Sequence, residues 1–220
     1  MRLLTWACGV PLASLRYLHR RSEVDAIERD MAPSHQPPTA LGPPGTDRAR
    51  HGVGPLYRRH YRIGIAEAKV SAETLVDIVA ADPNVASPTE VAVFEKTVGR
   101  PGQMAVGDEF LIRMPGPWNG PVRVIERDTS SFRLATRPGH LEAGTIEFRA
   151  CTDDGGRLVA FEIESWARSA NRWQDVLYRR VGISKAIQES MWAAFLERIQ
   201  LVSGGSRHGR IRVVTERETR

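Results

Sequence analysis

The chain has 220 residues, 41% of them hydrophobic and 26% charged, which is ordinary for a soluble globular protein and enough for one substantial core. Its net charge of +5 sits on the flanks: residues 1–60 and 204–220 carry surplus arginine, whereas residues 61–203 hold 17 basic and 19 acidic side chains. A nucleic-acid-binding body would carry its basic surplus where phosphates are met, so this distribution argues against nucleic acid as a partner.

Two cysteines, Cys8 and Cys151, offer neither zinc spacing nor a disulfide framework, as suits a reducing, cytoplasmic setting. His19, His35, His51, His60, His140 and His208 are scattered without metal-site spacing, so no metal is expected. No glycine-rich loop follows a strand and opens a helix, so no nucleotide cofactor is expected either.

In chain order, residues 1–29 carry a partly helical stripe of Leu3, Leu4, Trp6, Val10, Leu12, Leu15 and Leu18, interrupted by Pro11. It is too short and broken for the ~20 apolar residues of a membrane span. It reads as an amphipathic segment docked on the domain, with a peripheral membrane contact and a cleaved signal as alternatives. Residues 30–54 gather Pro33, Pro37, Pro38, Pro43 and Pro44 with few apolar side chains, and predict an extended linker.

The domain proper is expected over 55–201. Its first strand is predicted at Arg62–Val70, where Ile63, Ile65 and Ala68 alternate with polar residues. Ser71 then caps a helix whose apolar face is Leu75, Val76, Ile78 and Val79, and Asp82-Pro83-Asn84 ends it. Strands are predicted at Val91–Val98, Glu109–Met114, Val122–Arg127, Ser131–Thr136, Thr145–Cys151 and Arg157–Ala167, with Gly/Pro/Asp breakers between them. A stripe then runs from Trp173 through Val176, Leu177, Val181, Ile187, Met191, Ala194, Phe195 and Ile199, spaced mostly three and four apart. Gly182 predicts a break near Val181–Ser184. Residues 202–220 predict a basic, mostly disordered tail with one apolar patch at Ile211–Val214.

The implied fold is α+β: a curved antiparallel sheet of six to seven strands wrapped around a long C-terminal helix, because a one-faced sheet needs a partner layer. Val91–Lys96, Val106–Phe110, the run Pro138-Gly139-His140-Leu141-Glu142-Ala143-Gly144 through Phe148, and Phe161–Arg168 resemble the domain of unknown function family nineteen-ninety. The resemblance covers roughly residues 55–201. It implies a START-like helix-grip fold, of the superfamily that includes lipid-transfer, polyketide-cyclase and hormone-receptor domains, and it implies no catalytic residue.

Candidate ligand-binding residues are His140, Glu142 and Glu147, which place an imidazole near carboxylates; Arg113, Arg137, Glu164 and Trp166 on strands; and Trp118 in the rigid loop Pro115–Pro121. Each has a plainer reading. His140 and Glu142 satisfy backbone groups in a turn. Glu147, Arg149, Glu162, Glu164 and Trp166 line the wet face of the sheet as cross-strand pairs, opposite Ile146, Phe148, Phe161 and Ile163. Trp118 caps the open end of the core. No Ser or Cys nucleophile stands at triad spacing. The leading expectation is binding of a small apolar or amphipathic ligand between sheet and helix. The alternatives are a cyclase-, aromatase- or hydrolase-like enzyme using His140 with a carboxylate, and a non-enzymatic module docking a membrane or partner. Oligomeric state is not legible.

Overall fold

The computed structural model describes residues 24–32, 34, 35, 37, 46, 49–114, 119–170 and 183–218. Trp118, the amphipathic stripe of residues 3–18 and the expected break near Gly182 lie outside the described residues. The strands are β1 (Val24–Asp30), β2 (Val53–Ala66), β3 (Val93–Val98), β4 (Glu109–Arg113), β5 (Asn119–Asp128), β6 (Ser131–Thr136), β7 (Glu142–Asp153), β8 (Leu158–Ser169) and β9 (Ser206–Arg217). The helices are α1 (Ala72–Ala81) and α2 (Ile183–Ser203).

All nine strands form one curved sheet in the order β1-β9-β2-β8-β7-β6-β5-β4-β3. From β3 to β8 it is an antiparallel meander, as the alternation and turns predict. β8 then pairs with β2, which pairs antiparallel with β9, and β1 closes the edge parallel to β9.

The sheet is therefore larger and more mixed than the expected six to seven antiparallel strands. Ser206–Arg217, expected as a disordered tail, is β9; its apolar patch supplies Ile211 and Val213 to the core while its arginines are exposed. Val24–Asp30, expected at the end of the helical segment, is β1, one exposed strand held by a backbone ladder along β9. β2 starts nine residues before Arg62, because the alternation of Ile63 and Ile65 continues backwards through Tyr61, Arg59 and Tyr57.

α1 begins as predicted: the Ser71 hydroxyl accepts from the Thr74 N–H at 3.2 Å, and Pro83 opens the next short turn. α1 and α2 contribute to one core cluster. Leu75, Val76 and Val79 from α1 and Trp192, Phe195, Leu196 and Ile199 from α2 meet Tyr61, Ile63, Phe132, Phe148, Phe161 and Ile163 from the sheet. Phe148 lies at the centre, stacked on Phe132 at 4.8 Å and packed on Phe195 at 5.6 Å and Trp192 at 5.5 Å between ring centroids. The buried stripe of α2 is centred on Trp192, Phe195, Leu196 and Ile199, while Met191 and Ala194 are only half-buried at its margin.

Candidate functional site

Residue phase along the strands separates two polar populations, one on each face. The outer face is an ion-pair ladder. Arg62 Nη1 and Arg149 Nη2 reach Glu162 at 2.9 and 2.5 Å, with His60 Nε2 at 3.2 Å. Arg58 bridges Glu164 at 2.8 Å and Glu216 at 2.9 Å, and Glu216 also meets Arg29 at 2.6 Å and His35 at 2.7 Å. The stems of these long side chains shield the carboxylates, so Glu162 and Glu216 are buried on a nominally wet face. Burial alone would push Glu162 up, but the hydrogen bonds from His60 and Arg149 outweigh it and hold its carboxyl at about 2. Glu216 is held at about 2 by Arg58, Arg29 and His35 against the same burial. Glu164 is lowered as well, by Arg58 against burial.

Four of the expected site residues, Glu164, Glu147, Arg113 and Arg137, belong to charge pairs of this kind rather than to the interior, and Trp166 joins one of them. Glu164 accepts from Trp166 Nε1 at 2.9 Å, and the Arg58 guanidinium lies 5.5 Å above the Trp166 ring. Glu147 pairs with Arg133 at 3.2 Å, Arg113 with Glu95 at 2.6 Å, and Arg137 with Glu109. The plainer reading of the strand charges is what their geometry shows.

His140 and Glu142 stand together at the start of β7. His140 Nδ1 accepts the Glu142 backbone N–H at 2.9 Å, so that nitrogen is engaged in the turn. Its ring rests over Gly120 of β5, where a Cβ would stand 3.0 Å from the imidazole. Gly144, two residues beyond Glu142, is required for a related reason: a Cβ there would strike the Trp166 carbonyl of β8.

The Glu142 side chain points to the inner face and leads to the second polar population, which sequence reading missed apart from this one residue. Arg59 of β2 is 2% exposed, and its Nη1 lies 3.4 Å from Glu142 Oε1. Gln188 of α2 donates to Glu142 Oε2 at 3.3 Å, tying helix to sheet. The Arg59 guanidinium lies 5.0 Å from the Tyr57 ring centre on the same face. In the sheet register Arg59 sits directly between Ser165 of β8 and Thr215 of β9. The hydroxyls of both have no hydrogen-bond partner among the described residues, although both residues are at least nine-tenths buried.

The missed signal was phase. Stepping back by twos from Ile65 and Ile63 places Arg59 on the apolar face, Ser165 is in phase with Phe161 and Ile163, and Thr215 with Ile211 and Val213. A polar residue in an apolar phase is the sequence mark of a buried polar site.

Chemically, the inner group is rich in hydrogen-bond donors. No group of three or more His, Cys, Asp or Glu side chains among the described residues is arranged to hold a metal ion. Cys151 is exposed at the far end of β7, and partial burial, reinforced by Glu162, pushes its thiol up, which weakens it as a nucleophile. No helix among the described residues is long and apolar enough to cross a membrane.

A sheet gripping a C-terminal helix, with a polar row set into the apolar interior between them, defines a protein of the helix-grip class. Residues 62–197 match the family model described as Domain of unknown function (DUF1990), and the chain belongs to that family, as the run around His140 suggested. Among solved structures it is similar to norcoclaurine synthase from Thalictrum flavum, at 13% identity and TM-score 0.49, covering 78% of this chain and 94% of that one. It is also similar to a hypothetical protein from Helicobacter pylori, at 11% and 0.48, covering 80% and 98%. A conserved protein from Geobacillus kaustophilus matches at 12% and 0.48, covering 70% and 99%. No curated protein matches the sequence.

Proposed function

We propose that the domain binds a small apolar or amphipathic ligand between the sheet and α2. The observation that supports this reading is the inner polar row: a buried arginine flanked by two buried hydroxyls that have no partner among the described residues, in an otherwise apolar core. A buried hydroxyl left unsatisfied costs roughly 1–3 kcal/mol, so two such hydroxyls in one row are poor choices for stability alone. Ligand sites have this make-up: mostly apolar walls with a few polar groups that orient the guest. The enzyme alternative rests on His140, whose Nδ1 is already held by the Glu142 N–H, so the geometry favours a turn-stabilising role for the imidazole. A membrane contact would belong to residues 1–23, outside the described residues.

Native mass spectrometry of protein purified from its source tests the reading. A bound small molecule that is released on denaturation supports it. A bare protein mass, with no thermal stabilisation by any member of a panel of apolar and amphipathic compounds, overturns it.

A further inference from the structure

Two features of the inner row restrict the chemistry of its guest: which hydrogen-bonding role is unfilled, and how much charge is already present. Arg59 offers only donors. Ser165 Oγ and Thr215 Oγ1 flank it in direct cross-strand register, so their Cβ atoms lie about 5 Å to either side. Neither hydroxyl has a partner among the described residues, and a hydroxyl rotates freely to donate. Trp192 stands one turn after Gln188 on α2, and its indole Nε1, a donor only, is likewise buried and without a partner there. Each of these atoms can donate and the indole can only donate, so an acceptor is the partner that suits them all.

Among the described residues the charge of the row is balanced. Arg59 faces Glu142, and Glu142 is in turn held by Gln188. A ligand carboxylate would bring a second anion beside the Arg59–Glu142 pair in an apolar interior. A ligand amine would bring a second cation and find the donors facing it. Burying an uncompensated charge costs far more than burying a hydrogen-bonded neutral group.

We infer that the guest is an uncharged molecule carrying a carbonyl oxygen, as in a ketone, ester or amide, on an apolar body, with the carbonyl received beside Arg59 by the hydroxyl of Ser165 or of Thr215. This rests on the binding reading above and specifies its ligand class.

Three probes of one shape test it: acetonaphthone, naphthoate and ethylnaphthalene, titrated into the full chain by equilibrium dialysis. The ketone should bind about tenfold more tightly than either the hydrocarbon or the carboxylate. In the double variant Ser165→Ala, Thr215→Val, which nearly preserves side-chain volume and removes no charge, the ketone's advantage over the hydrocarbon should fall below about threefold. Equal binding of ketone and hydrocarbon, or tightest binding of naphthoate, would overturn the carbonyl assignment and leave ligand binding standing. An unchanged ketone preference in the double variant would remove the assignment to this row. Failure of all three probes to bind, with no co-purifying molecule, would overturn both.

Discussion

Glu162 shows how a single carboxylate can dominate the acid stability of the outer face. It is 4% exposed and receives Arg62, Arg149 and His60. Its folded-state carboxyl, at about 2, lies below its ordinary value of 4.5. A depressed acid contributes stability that is fully present above the unfolded value and lost as pH falls through the folded one. The window is therefore between about 4.5 and 2, and the contribution is on the order of 3 kcal/mol at neutral pH. Urea unfolding at pH 7 and pH 3 should show wild type losing much of this, whereas Glu162→Gln should be weaker at pH 7 and lose less between the two. A larger loss in the variant would place the acid sensitivity elsewhere, Glu216 being the next candidate, since it is held equally low. His140 makes the opposite case, an ionisable residue with a structural task. Asparagine can accept the same backbone N–H through its side-chain oxygen, so His140→Asn should change stability by less than about 0.5 kcal/mol. His140→Ala, which leaves the Glu142 N–H without that acceptor, should cost about 1 kcal/mol by denaturant unfolding. Equal costs for the two would mean that the ring's packing over Gly120 matters more than its hydrogen bond. At this scale the sequence was readable wherever strand phase was assigned: Glu164 and Trp166 were placed opposite Phe161 and Ile163, as they are. Arg59 was missed because its strand was started at Arg62, three residues too late for its phase to be noticed.

Among the elements, α2 carries the most packing. Phe195 is buried and its ring meets Phe148 of β7, Phe161 of β8 and Trp192 of its own helix, so two strands and the helix share it. Phe195→Ala should cost about 3–5 kcal/mol in chemical denaturation, the range for deleting a buried aromatic side chain. Met191, half-buried at the margin, should cost distinctly less on the same change. A loss below about 0.5 kcal/mol at Phe195 would mean that α2 does not close the sheet. Periodicity identified this helix, and its Phe195 and Ile199, but not its rotation: the spacing of Met191 and Ala194 fits a stripe as well as that of Trp192 and Leu196 does. Only the sheet it packs on decides between them. The strands of the meander were legible for a simpler reason. Each is bounded by glycine, proline or aspartate, and Ser131–Thr136 was placed to the residue.

For the molecule as a whole, the sheet is completed by its most distant parts. β9 inserts between β2 and β1, so the last described strand is an interior strand of the sheet and not an appendage. This was not legible in the sequence, because β9 owes its place to long-range pairing and its composition is that of a solvated tail: four arginines and a glycine around a short apolar patch. Its alternation is local and brief, with Ile211, Val213 and Thr215 facing inward, but the ladder to β2 runs almost its full length. Ending the chain at Gly205 would uncover one whole side of β2 and remove Ile211 and Val213 from the core, each contributing roughly 1.5–3 kcal/mol by burial. It would also take Glu216 away from Arg58, leaving that cation with Glu164 alone of its two carboxylates, and would leave β1 without the strand it pairs on. Together these losses rival the 5–15 kcal/mol that holds a typical domain folded. The chain ending at Gly205 should therefore show no cooperative thermal transition by circular dichroism and should aggregate through the opened β2 edge, as unprotected sheet edges do. A cooperative transition within a few degrees of the full chain would show that β2 to β8 and α2 form the folding unit without β9.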